Sequence, residues 1–184
     1  MQIYYPSIAA IQQRTLQLHH EQCSHCKQTQ QLVSHGFIRK KRVGALPAAI
    51  GKRVFCSNRR RHTGCGRTVQ LYLASTLRYL HFAAAALEAF LLALLAGMTI
   101  QCAYLKATRT AVPRNAYRWL NKLMAQLSAY RSLLHQPRLS NEPKVTLHRN
   151  PRRGLLMTST ETLFQQFGLP LCAGLQLKWQ RAFL

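Results

Sequence analysis

Two pairs of cysteines constrain this chain more than any other feature. Cys23 and Cys26 form CSHC, the CxxC spacing in which one tight turn brings two thiolates to one ion. Cys56 and Cys65 follow in CSNRRRHTGC with eight residues between them, and 29 residues separate the two pairs. That span is long enough for a β-hairpin that returns the chain to the first pair. Zinc is the expected occupant, because a borderline-soft, redox-inert ion takes sulfur, and four thiolates leave no open position for water. The expected cofactor is therefore one structural Zn²⁺ held by Cys23, Cys26, Cys56 and Cys65. A disulfide pair or four unrelated buried cysteines are the plainer readings, but a second pair one hairpin away from a CxxC favours metal. His25 and His62 lie inside the ligand loops as substitute ligands, and the pattern places them beside the site or in solvent instead.

Around the cysteines the pattern is that of strands. LVSHGFIRKKRVGAL alternates as a strand with a bend at glycine, Pro47 and Gly51 frame a turn, and KRVFCSN returns to deliver Cys56. GRTVQLYLA then leaves Cys65 as an exit strand. Met1 to Leu18 is ambiguous.

Charge sets the class of partner. The chain carries 26 Lys and Arg against four acids, Glu21, Glu88, Glu142 and Glu161, with no Asp, for a formal charge of +22. Such an excess calls for a polyanion, and nucleic acid is the usual one. Arginine outnumbers lysine more than twofold, which favours phosphate and base-edge contacts through the guanidinium fork. Ten of the bases fall between Arg39 and Arg67 with no acid among them. They include Arg39, Lys40, Lys41 and Arg42, then Arg59, Arg60 and Arg61, which are expected to contact phosphates rather than form an ordinary solvated face. Four isolated glutamates cannot build a two-metal catalytic site, and no Walker loop, GxSxG or HExxH is present, so no enzyme is expected. No secretory signal opens the chain, which makes reduced thiols and a cytoplasmic location the expectation.

The rest of the chain reads as helices. Leu77 to Gly97 is the most apolar stretch, but it carries Arg78, His81 and Glu88, and only eight apolar residues run unbroken after Glu88. A spanning helix needs about 20, so the stretch reads as a buried helix stopped at Gly97 and no membrane is expected. Thr99 is a candidate N-cap for TIQCAYLKATRT, and Pro113 opens a third helix with Ala116, Leu120, Leu123 and Leu127 as its buried stripe. Arg114, Asn115, Arg118 and Lys122 fall on another face near its start, which gives a helix-turn-helix reading over that of a plain three-helix bundle. Gln136 to Gly154 reads as a basic linker. Thr158 and Glu161 have capping-box spacing for a short helix ending near Gly168, and the tail to Leu184 is a strand or a partner-binding segment. Cys102 and Cys172 are expected in the core. There are no internal repeats.

The expected fold is therefore α+β: a small N-terminal β zinc ribbon (1–76), a mainly α-helical helix-turn-helix domain (77–136), and a basic linker with a C-terminal segment (137–184). From Cys23 to about Leu134 the chain resembles the DNA-binding half of bacterial insertion-sequence transposases, in which a zinc ribbon runs into a helix-turn-helix. CSHC, TGCGRTVQLYLA and NAYRWLNKL carry the resemblance, the last being similar to a YRWL recognition-helix signature. The chain departs from that family in its stretched second cysteine pair and in lacking the acidic catalytic domain. The resemblance implies non-enzymatic, zinc-dependent recognition of double-stranded DNA sites in transposition or another mobile-element system, with a larger transposase or nucleoprotein complex as partner. The alternatives are an RNA-binding or guide-complex subunit, and a structural adaptor that docks a larger nucleic-acid enzyme.

Overall fold

The computed structural model describes residues 1–42, 45–77, 80, 82–134 and 151–184. Its elements in chain order are β1 (Gln2–Tyr5), α1 (Ile8–Leu16), β2 (Leu32–Arg42), β3 (Ala45–Cys56), β4 (Thr68–Leu73), α2 (Ala84–Leu95), α3 (Ile100–Thr108), α4 (Arg114–Leu133), α5 (Pro151–Phe167) and α6 (Leu171–Trp179). The fold is thus α+β, with one four-stranded sheet in the order β1-β4-β3-β2. It divides into two compact units, residues 1–81 with 172–183, and residues 82–171 with Leu184.

The first unit is built on the sheet. β1 pairs parallel with β4, while β4–β3 and β3–β2 are antiparallel. Alternation along β4 sends Val69 and Leu71 to one face and Tyr72 to the other. On the first face Val69, Leu71, Val54 and Leu32 pack with Ile11 of α1 and Leu18, and the sulfur-bearing Cys23 and Cys56 belong to the same core. Ser7 caps α1 by accepting from the Ala10 amide at 3.1 Å. On the opposite face Tyr4, Ile50, Tyr72 and Ala74 meet Ala173, Leu177 and Ala182. The tail expected as a strand or a partner-binding segment is instead helix α6, packed on the sheet of the first unit. Gln176 within the helix and Gln180 just beyond its end hold it there. The Gln176 amide, 1% exposed, donates to the carbonyls of Ala74 and Thr76 and accepts from the Phe183 N–H. The Gln180 amide accepts from Tyr4 N–H and donates to Tyr4 C=O, occupying the outer edge of β1 as a neighbouring strand would.

The turn expected at Pro47 and Gly51 is not there, because both residues lie inside β3, which pairs with β2 from Leu32↔Cys56 out to Arg42↔Ala45. Gly51 has a packing reason: a Cβ there would stand 3.2 Å from the carbonyl carbon of Leu71 and collide with its oxygen, so glycine lets β4 approach. Pro47 falls in a bulge, where Leu46 and Pro47 together oppose Lys41 between the pairs Lys40↔Ala48 and Arg42↔Ala45, one of the places in a sheet where proline is tolerated.

The second unit is helical. α2 covers only Ala84–Leu95 of the expected apolar stretch, of which Arg78 and His81 lie outside the described residues. It ends as expected at Gly97, whose φ of +83° allows the Gly97 N–H to reach Leu94 and the Met98 N–H to reach Ala93. Thr99 caps α3 through its hydroxyl, which accepts from the Cys102 amide at 3.3 Å. Phe82, Phe90, Tyr104 and Trp119 form an edge-to-face aromatic core with centroids 5.4–6.2 Å apart. α5 starts at Pro151, seven residues before the expected capping box. Thr158 lies in its interior and donates back to the Gly154 carbonyl, as Thr160 and Thr162 do to Leu156 and Thr158. Cys172 is buried as expected, but Cys102 is exposed. The expected linker falls mostly on residues 135–150, outside the described residues, and the expected third segment is shared between the two units. Among the described residues no helix is long and apolar enough to cross a membrane.

Candidate metal centre

The four cysteines reach one place from two loops. In the first, the Cys23 N–H donates to Gln28 C=O and the Lys27 N–H returns to Cys23 C=O, both at 2.9 Å. This knuckle closes with Lys27 in the left-handed region at φ +60°. The His25 N–H then points at the Cys23 sulfur, 3.4 Å away.

The second pair is separated by eight residues yet ends in similar geometry. Cys56 is the last residue of β3, and Cys65 stands just ahead of β4. The Gly64 N–H donates to Ser57 C=O at 2.7 Å, and the Gly66 N–H donates to Cys56 C=O at 2.9 Å. These bonds pinch the loop at its base, so Cys56, Ser57, Gly64 and Cys65 act as a CxxC with residues 58–63 inserted in the middle. The Cys65 N–H points at the Cys56 sulfur at 3.3 Å, as the Cys26 amide of the first loop does at Cys23. Ser57 N–H and Thr63 N–H bond the Gln31 carbonyl and side chain, which ties the insertion to the start of β2.

Cys23 Sγ lies 3.7 Å from Cys65 Sγ, Cys26 Sγ lies 3.7 Å from Cys56 Sγ, and all four sulfurs are within 4.8 Å of one another. A disulfide needs about 2.05 Å, so these distances exclude one. A tetrahedron with metal–sulfur bonds of about 2.3 Å has edges of about 3.8 Å. The four cysteines could therefore hold one metal ion, with Cys23 and Cys56 buried in the sheet core and Cys65 at the surface.

Electrostatics favour a cation here. Burial pushes the Cys56 thiol up to about 12, and the neighbouring thiols add to that. Burial acts the same way on Cys23, but amide donors from Cys26 and His25, with the thiols of Cys56 and Cys65, bring it down to about 7. The Cys56 thiol alone thus resists ionisation, whereas a bound divalent ion deprotonates its thiols outright.

His25 and His62 are not part of the sulfur cluster. His25 Nδ1 sits 3.1 Å from an Arg67 guanidinium nitrogen, so its ring accepts from arginine beside the site. Arg67 and Gly64 were not expected to matter. The signal was present in TGCGR, where glycines flank a ligand and a base follows.

The expected contact residues are distributed as follows. Arg59, Arg60 and Arg61 are exposed on the insertion between Cys56 and Cys65, with Arg60 at φ +58°. Arg39 is exposed on β2, and the Lys40 ammonium turns to the Leu77 carbonyl at 3.3 Å. The side chains of Lys41 and Arg42 lie outside the described residues. In the other unit Arg114, Arg118 and Lys122 form an exposed row along α4, with Asn115 half-buried. Ala116, Leu120 and Leu123 of the expected stripe are buried, and Leu127 is half-buried. Tyr117 and Trp119, two residues apart on α4, part company: Tyr117 is 48% exposed and Trp119 is 2% exposed.

No protein-family model, curated protein or solved structure matches this chain.

Proposed function

We propose that this chain is a non-enzymatic DNA-binding protein whose first unit is held by one structural Zn²⁺ at Cys23, Cys26, Cys56 and Cys65. The observation that carries the reading is the pinched second loop. Its only elaboration over a CxxC is an insertion that presents three consecutive exposed arginines beside the metal centre. Three guanidinium groups in sequence repel one another, and with Glu21 paired to Arg14 and Glu88 buried, the few acids offer little relief. A polyanion relieves that repulsion, and release of its counterions drives binding.

The second unit supports duplex readout through α4. Arg114 and Arg118 stand in the first turns of the helix, with no acid there, at the positive end of its dipole. That arrangement is unfavourable within the chain and favourable against phosphate. In this reading α3 and α4 act as a helix-turn-helix with α4 in the major groove. The work would be site recognition in transposition or another mobile-element system, alongside a larger transposase or nucleoprotein complex, in the cytoplasm.

RNA or another single strand is the second reading, favoured by Tyr117, an exposed aromatic beside the basic row of α4 on which an unpaired base could stack. Fluorescence anisotropy of the zinc-loaded protein with duplex DNA, single-stranded DNA and RNA of one sequence separates the two. Tighter binding to the duplex is expected. Preference for RNA would replace the first reading with the second, and no binding to any of the three would remove both.

A further inference from the structure

The proposed DNA binding gives no role to Leu46, the most exposed large hydrophobic side chain among the described residues. Leu46 is 90% exposed on β3, in the part of the β2–β3 hairpin farthest from the cysteines. β4 pairs with β3 only from Gly51 to Phe55, so beyond Ile50 the hairpin is a two-stranded ribbon. Its described pairs there are Arg39↔Ala49, Lys40↔Ala48 and Arg42↔Ala45. Leu46 and Pro47 occupy the bulge opposite Lys41, and a bulge turns its side chains out of the ladder. A further register shift at Ile38/Arg39, where β4 stops pairing, adds bend and twist at the base of the same ribbon. One strand of this arm is therefore basic in sequence, RKKR from 39 to 42. The other is small and apolar, ALPAA from 45 to 49, with a leucine and a proline displayed at its bulge.

Resting on the DNA-binding reading above, we propose that the β2–β3 hairpin is an arm that enters the minor groove of a DNA duplex. In that groove Leu46 wedges between base pairs and kinks the helix. At about 3.4 Å per residue, the four residues 39–42 span about 14 Å, more than the roughly 7.5 Å depth of a minor groove. A ribbon is too wide for a groove of about 6 Å, so entry requires the groove to open, and an apolar wedge that unstacks one base step opens it. Leucine and proline are side chains used for that purpose, and flanking arginine and lysine pair with the phosphates drawn together by the bend. A protein partner would bury Leu46 equally well, but the acid-free stretch from Arg39 to Arg67 selects an anionic surface.

The test uses the full-length zinc-loaded protein and a duplex of about 30 base pairs with central TA and CA steps, which kink most easily. The duplex carries end labels for energy transfer, and anisotropy is read in the same samples. Saturating wild-type protein is expected to bring the ends together by a bend within about 20–90°. Leu46→Ala is expected to abolish most of that bend while weakening binding less than about tenfold, and Leu46→Phe to keep it. Arg39→Ala should weaken binding but leave the bound duplex bent. A bound duplex that stays straight, or a bend that Leu46→Ala leaves unchanged, overturns the wedge while the DNA-binding reading stands. Anisotropy that shows no duplex binding overturns both. Retained zinc in each variant establishes that the fold is intact.

Discussion

Gly64 leaves no room for a side chain against Cys56: a Cβ at Gly64 would lie 2.5 Å from the Cys56 sulfur and would also strike the Ser57 carbonyl. The glycine is what lets the eight-residue excursion close at its base and return Cys65 to the site. Gly64→Ala must therefore open the pinch or displace a ligand sulfur, an overpacking cost of about 1–3 kcal/mol placed directly on the metal centre. The variant is expected to melt several degrees lower and to lose metal to a chelator faster than wild type. Thr63→Ala, at the exposed neighbouring position, serves as the control. Equal metal retention by Gly64→Ala would mean that the loop closes in some other way.

The metal itself is expected to be zinc, one per chain. Apparent binding free energies of structural zinc sites run to about 10–16 kcal/mol, more than the stability of a small unit, so chelation should unfold the sheet. Cys56→Ser should lower both zinc content and solubility. Occupancy should also fall as the pH is lowered, because protons compete with the ion for thiolate sulfur. Elemental analysis of freshly purified protein and a pH series of metal release are the measurements.

Cysteine spacing made the convergence of the four cysteines legible in sequence, because a CxxC and a second pair one hairpin away announce it locally. The closure by Gly64 and Gln31 was not legible, since it depends on hydrogen bonds that only the folded loop defines. Gly51 shows the same limit from the other side. Glycine with a nearby proline reads as a turn, but here its missing Cβ answers to the backbone of β4, a strand about 20 residues later in the chain. Thr158 and Glu161 have capping spacing, yet helix α5 passes through them, and inside it the threonine hydroxyls bond carbonyls one turn back instead of capping. The tail failed for a third reason: Gln176 and Gln180 look like surface residues until the sheet supplies their partners.

Gln176 offers a stability test independent of the metal. Its buried amide meets two carbonyls and one N–H, so Gln176→Leu keeps the approximate size of the side chain and orphans those groups. Leaving buried polar groups unpaired costs about 1–3 kcal/mol each at most sites, and a drop of about 2–4 kcal/mol is expected. Urea denaturation of the zinc-loaded protein would show it. Gln180→Leu, nearer the surface, should cost less.

The affinity for duplex DNA should be strongly dependent on salt. If six to ten phosphates are contacted, binding should weaken by about 10³–10⁵ between 50 and 200 mM salt. A titration that barely shifts across that range would mean that the +22 charge serves something other than a nucleic-acid backbone.

The two basic surfaces are expected to divide the labour. Arg59, Arg60 and Arg61 sit on a loop whose base is fixed but whose exposed guanidinium groups face no set spacing, which suits phosphates that look alike along a duplex. Arg114 and Arg118 are held one turn apart on α4 by a helix whose inner face is locked through Trp119, Leu120 and Leu123. Fixed angles suit base edges, where arginine pairs with guanine O6 and N7 and each such pair discriminates by about 1–3 kcal/mol. Arg60→Ala is therefore expected to weaken binding to all duplexes alike and to flatten the salt slope by about one unit. Arg118→Ala should instead narrow the gap between a selected site and scrambled DNA. The measurement is competition of each variant against the best site from an in vitro selection and its scrambled counterpart. Should Arg118→Ala weaken both duplexes equally, α4 is a phosphate clamp, and the helix-turn-helix reading loses its functional content.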